Sequence, residues 1–348
     1  MADRLTPAVS SEALALLAAM LPAGQGVDSA HSIRLICLGL SAYDMVWNVD
    51  SLPAGGGKIR AQAFSEGGGG MAANASVVAA RLGAEVHFWG RAGNDRSGGA
   101  MRDALAAEGV EVGNFRCFDG AASSISGVVV DANGERSIVN FRGAELPTDP
   151  AWLPLDEVCS AGAVLADPRW PEGAAALFDA AREAGVPTVL DGDVADDAVF
   201  DLLLPKVDYA IFSAPGLAGY AGGADAPQTT DDDAIPELSQ YRPQLEFARA
   251  RGCSLAAVTL GARGVVWLSD SGFKHLPAIK VDVVDTTGAG DAFHGAVTYA
   301  IGAGLTIHDA FAFAGAVAAI KCTHAGGRAG APNLQTTLQT FQQIEQTP

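Results

Sequence analysis

Positive charge is scarce in this sequence. Its 348 residues carry 22 Lys plus Arg against 40 Asp plus Glu, a formal net charge of -18. So acidic a surface does not hold nucleic acid or an anionic membrane through its general field. Long apolar runs are missing as well, and no stretch approaches the ~20 residues that a transmembrane helix needs. Paired cysteines are also missing. Cys37, Cys117, Cys159, Cys253 and Cys322 are scattered, odd in number and form no C-x-x-C pair, which fits reduced thiols in a cytoplasmic protein. The apolar stretch Ala13 to Leu21 is short and follows Asp3, Arg4 and Glu12, so it lacks the cationic, acid-free start of a secretory signal. Residues 1–30 read as an extension outside the main fold, and 338–348 as a tail.

What the chain does have is glycine in two telling clusters. Val283-Val-Asp285-Thr286-Thr287-Gly288-Ala289-Gly290-Asp291-Ala-Phe293 reads as a strand end, a glycine loop and the first turn of a helix. A helix start leaves backbone N–H groups unpaired and carries partial positive charge. Gly288 and Gly290 let a ligand approach the backbone closely, so an anion suits this turn. Asp291 places a carboxylate beside it. That combination suits phosphoryl transfer, with amides stabilising the moving group and the aspartate taking a hydroxyl proton. An N-capped helix after a tight turn would carry the same letters. The second cluster, Gly67-Gly68-Gly69-Gly70, precedes a helix containing Asn74. It lacks dinucleotide-fingerprint spacing and reads either as a lid hinge or as a place where a substrate comes close.

Strand and helix signals alternate along the chain. Apolar strands are expected at Ile33–Leu40, Glu85–Trp89, Ala163–Ala166, Thr188–Leu190, Tyr209–Phe212 and Ala256–Leu260. Helices are expected at Ala72–Leu82, Gly98–Glu108, Glu172–Ala184, Gln244–Arg251, Ala292–Ala300 and Ile307–Cys322. Continuous apolar strands alternating with helices imply a mostly parallel sheet covered on both faces. Val46–Phe64 and Ser123–Phe141 break the rhythm, and Asn133-Gly134 between extended runs marks a hairpin. Both stretches are placed in a small β-lid, with lid segments at about 43–65 and 115–145. Residues 221–240 read as a polar surface loop.

Taken together, Gly68 to Asp95 and Asp285 to Gly295 resemble the two signatures of the ribokinase-like (PfkB) carbohydrate kinases. The resemblance runs from about Ile33 to Pro332. It implies an α/β fold, a three-layer αβα sandwich with a small β-sheet lid over residues 31–337, with ATP as donor and Mg²⁺ as metal. It implies that Asp291 is the base and that Gly288, Ala289 and Gly290 form the anion hole. Asp44, Gly69, Gly70 and Asn74 would hold the sugar. Thr259, Gly261 and Gly264 would border the nucleotide, with Ser213 nearby. Asp285 and Thr287 fall where some members bind a monovalent cation such as K⁺. Two departures matter. The asparagine and glutamate that organise metal-bound water in many members are replaced by Phe212-Ser213-Ala214-Pro215-Gly216. Asp191 and Asp193 stand at a strand end and either compensate or form a solvated turn. Met71 stands where some ribose-type members carry lysine.

Against so few cations, one near the cleft is informative. Lys58, Asn140, Arg142 and Arg169 fall where the family's arrangement converges on the end of the sugar remote from the phosphoryl donor. Two cation types and an amide suit an anionic head group. The strings Val164-Leu-Ala-Asp167-Pro-Arg169-Trp170, Leu190-Asp-Gly-Asp193 and Lys321-Cys-Thr-His-Ala-Gly-Gly-Arg328 resemble the sulfofructose kinase branch. That resemblance implies C1 phosphorylation of 6-deoxy-6-sulfofructose, with Lys58, Asn140 and Arg169 on the sulfonate. Fructose 6-phosphate, 2-keto-3-deoxygluconate and a non-catalytic sugar sensor are the alternatives. A homodimer joined through the lids is expected, because lid strands expose edges and apolar faces.

Overall fold

A computed structural model describes residues 9–21, 32–132, 134–222 and 238–346. The strands are β1 (Arg34–Gly39), β2 (Ala42–Asn48), β3 (Ala63–Gly69), β4 (Glu85–Gly93), β5 (Phe115–Phe118), β6 (Ile125–Val130), β7 (Arg136–Phe141), β8 (Ala163–Ala166), β9 (Thr188–Gly192), β10 (Tyr209–Ser213), β11 (Leu255–Thr259), β12 (Val265–Ser269) and β13 (Gly272–Leu276). The helices are α1 (Ser11–Ala19), α2 (Met71–Arg81), α3 (Arg96–Ala107), α4 (Pro171–Ala184), α5 (Asp197–Leu203), α6 (Ala214–Ala221), α7 (Arg242–Arg249), α8 (Ala289–Gly302), α9 (Ile307–Cys322) and α10 (Leu334–Gln346).

Side chains alternate across a strand, and β1 shows the consequence. Leu35 and Cys37 pack into a core with α1, α2, α3, α8, α9 and α10. Ile36 and Leu38 point the other way, into a core with α4, α5, α6 and α7. A strand buried on both faces needs a helical layer on each side, and this makes a three-layer sandwich. The sheet has nine strands in the order β13-β12-β11-β10-β9-β8-β1-β4-β5. Neighbours from β5 to β11 pair in parallel, and β12 and β13 extend the far edge antiparallel. The expected alternation is present, with that antiparallel edge added.

A second sheet of four strands, β3-β2-β6-β7, stands apart from the first. The expected β6–β7 hairpin forms, with Ile125 opposite Phe141 and Val130 opposite Arg136. Two lid boundaries differ from expectation. Residues 49–62 carry no strand, and β5, inside the segment 115–145, belongs to the large sheet. Most of the segment 221–240 lies outside the described residues.

Both chain ends are also more integrated than their composition implied. Within the segment 1–30, α1 sinks Leu17 and Ala13 into the core. Ser10 ties it down through N–H and hydroxyl bonds to the Asp309 carboxylate at 2.8 and 3.1 Å. At the other end α10 runs through the expected tail and buries Leu338 and Phe341. Among the described residues no helix is long and apolar enough to cross a membrane.

One helix contact positions the chemistry. The small residues of α2 and α8 let the two helices approach until a Cβ on Gly295 would sit 2.4 Å from the Ala75 carbonyl oxygen. Asn74 and Asp291 project from these same two helices. Gly295→Ala is therefore expected to push α2 off α8. Overpacking of this kind costs roughly 1–3 kcal/mol, and urea denaturation measures it. A variant as stable as the wild type would show that the helices have room to spare.

Candidate active site

The carboxyl ends of the parallel strands are where open α/β sheets bind ligands, and here they carry a cluster of aspartates. Asp167 ends β8, fully buried. Its Oδ2 accepts the N–H groups of Leu40 at 2.7 Å and Ala72 at 3.1 Å, and its Oδ1 accepts that of Arg169 at 2.9 Å. One carboxylate thus ties together the ends of β1 and β8 and the start of α2. Nothing larger than glycine fits at Gly39, because a Cβ there would lie 2.3 Å from Asp167 Oδ2.

The quadruple glycine run folds as the end of β3 and the entry to α2. Gly70 takes φ 96°, and a Cβ there would strike the Leu40 carbonyl oxygen at 2.4 Å. A Cβ on Gly69 would lie 2.0 Å from Asp44 Oδ2. The run therefore removes bulk so that backbone and carboxylate can pack together. Burial raises the Asp44 carboxyl above its ordinary range, and a Ser126 hydrogen bond and the Arg328 charge pull it back. Asn140 joins this group, donating to Ser126 Oγ at 3.1 Å.

The strand-loop-helix motif forms as expected. Gly288 takes φ 72° and caps α8. Ala289 N–H donates to the Thr286 carbonyl at 3.1 Å, while the amides of Gly290 and Asp291, in the first turn, lack intrahelical acceptors and are open to an anion. Asn74 Nδ2 donates to Asp291 Oδ2 at 2.6 Å. Burial pushes the Asp291 carboxyl up to about 7, and Asp191 and Asp193 push the same way, while Asn74 and His294 oppose them. The residue as a whole is only partly exposed. His294, one turn along α8, faces the carbonyl oxygens of Gly290 at 2.8 Å and Ile211 at 3.0 Å. Only imidazolium can donate to both.

The structure therefore brings Asp44, Gly69, Gly70, Asn74, Asn140 and the Gly288–Asp291 turn to one place. Thr259, Gly261 and Gly264 turn the chain between β11 and β12, with Thr259 Oγ1 donating to the Phe212 carbonyl at 3.3 Å. Ser213 caps α6 through Gly216 N–H at 3.0 Å and donates to Asp193 Oδ1 at 3.2 Å. Lys58 is exposed in the strandless segment and has no partner among the described residues. Arg169 is engaged already, with Nη2 on Asp193 Oδ2 at 2.8 Å and Nη1 on the Val194 carbonyl at 2.6 Å. With Arg91 and Arg142 it lines a cavity of about 320 Å³. Arg142 is exposed and has no hydrogen-bond or ion-pair partner among the described residues. A larger cavity of about 390 Å³ lies at the opposite ends of β9 to β11, away from the aspartate cluster.

Sequence reasoning missed three cations. Arg328 Nε donates to Asn74 Oδ1 at 3.1 Å. Arg136, on the lid strand β7, reaches Thr287 Oγ1 at 2.5 Å and Thr286 Oγ1 at 3.0 Å. Lys321, fully buried, donates to the Asp285 carbonyl oxygen at 2.7 Å. A monovalent cation at Asp285 and Thr287 would find the side-chain oxygens there already partnered. Asp285 Oδ1 accepts the N–H and hydroxyl of Thr287 at 2.8 and 2.6 Å, and its Oδ2 accepts Gly326 N–H at 2.9 Å. Its carbonyl accepts from the lysine and Thr287 Oγ1 accepts from Arg136, so these four oxygens are engaged, two of them by cationic side chains. Among the described residues no group of three or more His, Cys, Asp or Glu can cage a metal. Asp191 is buried beside His294 at 3.5 Å, and burial drives its carboxyl well above the usual range. Asp193 is half-buried and stays the better placed of the two for a metal-bound water, the arrangement that Mg²⁺ prefers.

Comparison with known proteins bears on this geometry. A model of the pfkB family of carbohydrate kinases matches residues 32–334. The Schizosaccharomyces pombe ribokinase is 28% identical over 315 residues, covering 87% of this chain and 96% of that protein. The Bacillus subtilis ribokinase is 29% identical over 306 residues, covering 86% and 97%. Among solved structures, the Arabidopsis thaliana ribokinase complexed with ribose and ATP superposes with a TM-score of 0.75 at 25% identity, covering 89% of this chain and 99% of that one.

The electrostatics of the cluster can be checked without turnover. In the unliganded protein a carboxyl titrating near pH 7 is expected by NMR, absent from Asp291→Asn. Asp191 is near enough for the two to titrate as a pair. Because Asn74 stabilises the ionised form, Asn74→Ala is expected to move that titration to higher pH. Carboxyls that all titrate below about pH 5.5, within reach of ordinary values, would refute the crowding.

Proposed function

The chain belongs to the pfkB family of carbohydrate kinases, and on that premise we propose that it transfers the ATP γ-phosphoryl group to the C1 hydroxyl of 6-deoxy-6-sulfofructose. Family membership makes it an ATP-dependent carbohydrate kinase. The anionic sugar is our own reading, and one observation carries it. In a chain of net charge -18, three arginines, Arg91, Arg142 and Arg169, line a single cavity and outnumber its two acids, Glu145 and Glu172. Arg91 stacks on the Trp170 ring at 4.2 Å and Arg169 is paired with Asp193, so Arg142 is the cation left to meet a sulfonate. Lys58 would have to move to join it.

In this reading Asp44, Gly69 and Asn74 hold the sugar hydroxyls. Asp291 takes the proton from C1–OH, which suits a base whose affinity for protons is balanced near neutrality. The Gly290 and Asp291 amides stabilise the moving phosphoryl group. Mg²⁺, when bound, neutralises the polyphosphate, and Asp193 is the carboxylate placed to reach its water shell. Lid closure over the sugar excludes water and limits wasteful hydrolysis. The names of the relatives favour a second reading, a neutral pentose such as ribose. Fructose 6-phosphate and 2-keto-3-deoxygluconate are anionic competitors.

A coupled assay over these four sugars and fructose separates the readings. Sulfofructose is expected to be the best substrate, and Arg142→Ala to raise its KM by ~10–150-fold, as loss of a charge-assisted contact worth roughly 1.5–3 kcal/mol implies. The KM for ATP should change little. Ribose or fructose turned over as well as the sulfonated sugar would remove the anionic head group. Asp291→Asn is expected to lower turnover by ~10²–10⁴-fold, and near-normal activity would take Asp291 out of the chemistry.

A homodimer through the lids belongs to the same proposal. Phe64, Ile138, Val139 and Phe141 are exposed on the lid, Val139 at 76%, and a second copy is the cover we assign to them. Light scattering at micromolar concentration is expected to give twice the 35.4 kDa chain mass. The chain mass itself would exclude it.

A further inference from the structure

Asn74 sits between two groups of opposite hydrogen-bonding character. Its Nδ2 faces Asp291 Oδ2 at 2.6 Å, and its Oδ1 faces Arg328 Nε at 3.1 Å. A guanidinium has only donors and an ionised carboxylate only acceptors. The carboxamide can satisfy both in one orientation alone. Turned over, it would aim its oxygen at a carboxylate and its N–H at a cation.

The arginine that imposes this choice is itself fixed. Its guanidinium lies against the glycine loop, where a Cβ on Gly68 would fall 2.7 Å from Nη2 and 2.9 Å from Nη1. Nη2 also lies 3.4 Å from the Gly69 carbonyl oxygen. Its backbone is gripped from α2, because Arg81 Nη1 donates to the carbonyls of Arg328, Ala329 and Ala331 at 2.7, 3.1 and 3.1 Å. Arg81 is in turn held by Glu108 through bonds of 2.9 and 2.8 Å.

We propose that Arg328 is a positioning residue for phosphoryl transfer: by holding Asn74 Oδ1 it keeps the amide N–H on Asp291 and so aims the base at the acceptor hydroxyl. This rests on the assignment of Asp291 as the base. The arginine reaches the base through Asn74, so its effect on kcat should persist only while Asn74 is present, whereas loss of its charge beside Asp44 should fall on the KM for the sugar. The effect should fall on the chemical step rather than on nucleotide binding.

The test compares wild type, Arg328→Met, Asn74→Ala and the double variant, with thermal stability measured for each. Arg328→Met is expected to lower kcat by on the order of 10–100-fold, part of what a well-aimed base contributes. KM for ATP should stay within about twofold, and the double variant should match Asn74→Ala, as coupled residues do. Arg328→Lys, which keeps the charge and a donor, is expected to recover part of the loss. Unchanged kcat, or losses that simply add in the double variant, would overturn the proposal. Should Arg328→Met fail to fold, Gly68→Ala drives a methyl into the guanidinium without removing its charge, and is expected to show the same kcat loss and the same coupling to Asn74. Asp291→Asn separates the two levels. An active Asp291→Asn variant means the base is misassigned, whereas an inactive one beside a normal Arg328→Met means only that Arg328 does not position it.

Discussion

Five aspartates crowd the carboxyl edge of the sheet, and the rest of the site is arranged around the cost of that. Asp44, Asp167, Asp191, Asp193 and Asp291 are drawn there by strand and helix ends. Burial opposes the ionisation of Asp44, Asp167, Asp191 and Asp291, and neighbouring aspartates add repulsion at Asp191 and Asp291. Each is answered differently. Asp167 receives three backbone N–H groups, and Asp193 an arginine and a hydroxyl. Asp44 has Ser126 and the charge of Arg328. Asp291 has one amide and a histidine one turn away, which leaves it the least compensated of those with a direct hydrogen bond. Asp191 has no hydrogen bond among the described residues, only His294 at 3.5 Å and the charge of Arg169, and burial holds its carboxyl well above the ordinary range. A carboxylate poised to accept a proton near neutrality is what remains when compensation is incomplete.

The cations that complete the site come from far apart in the chain. Arg136 belongs to the lid, Arg169 to the end of β8, Lys321 to the last turn of α9 and Arg328 to the loop beyond it. Lys321 also sits where a cation complements the helix dipole. Its ammonium on the Asp285 carbonyl and the Arg136 guanidinium on two threonine hydroxyls place positive charge beneath and beside the anion loop. An acidic protein can therefore offer a polyphosphate a locally favourable field.

What was legible in the sequence was local. The glycine turn before Asp291 and the glycine run before Asn74 are short strings whose geometry follows from glycine's freedom and from helix-start electrostatics. The two-sided sheet followed from apolar strands alternating with helices. Arg328 was legible only as a letter in a string, because its partner Asn74 lies 254 residues away. Arg136 reaches 150 residues to Thr286. Such pairings are set by which helix packs on which, and spacing along the chain does not encode that. The two ends were misread for a related reason. Composition made them look polar or short, while particular apolar residues, Leu17 at one end and Leu338 and Phe341 at the other, fall on buried faces.

The fate of Arg169 shows why an arginine in a cleft is not yet an anion site. A cation serves a ligand only with the donors and charge that the protein has not already neutralised. Arg169 directs both terminal nitrogens at protein oxygens, and pulling it off Asp193 would expose another member of the aspartate cluster. Its role is first to hold that cluster together. Arg91 stacks on Trp170 and donates to the Pro147 carbonyl at 2.6 Å, and burial lowers its proton affinity to about 10. Arg142 alone keeps its charge facing solvent. On our proposal, selectivity for an anionic sugar then depends on one lid arginine, and so on the lid's position, rather than on a rigid ring of cations.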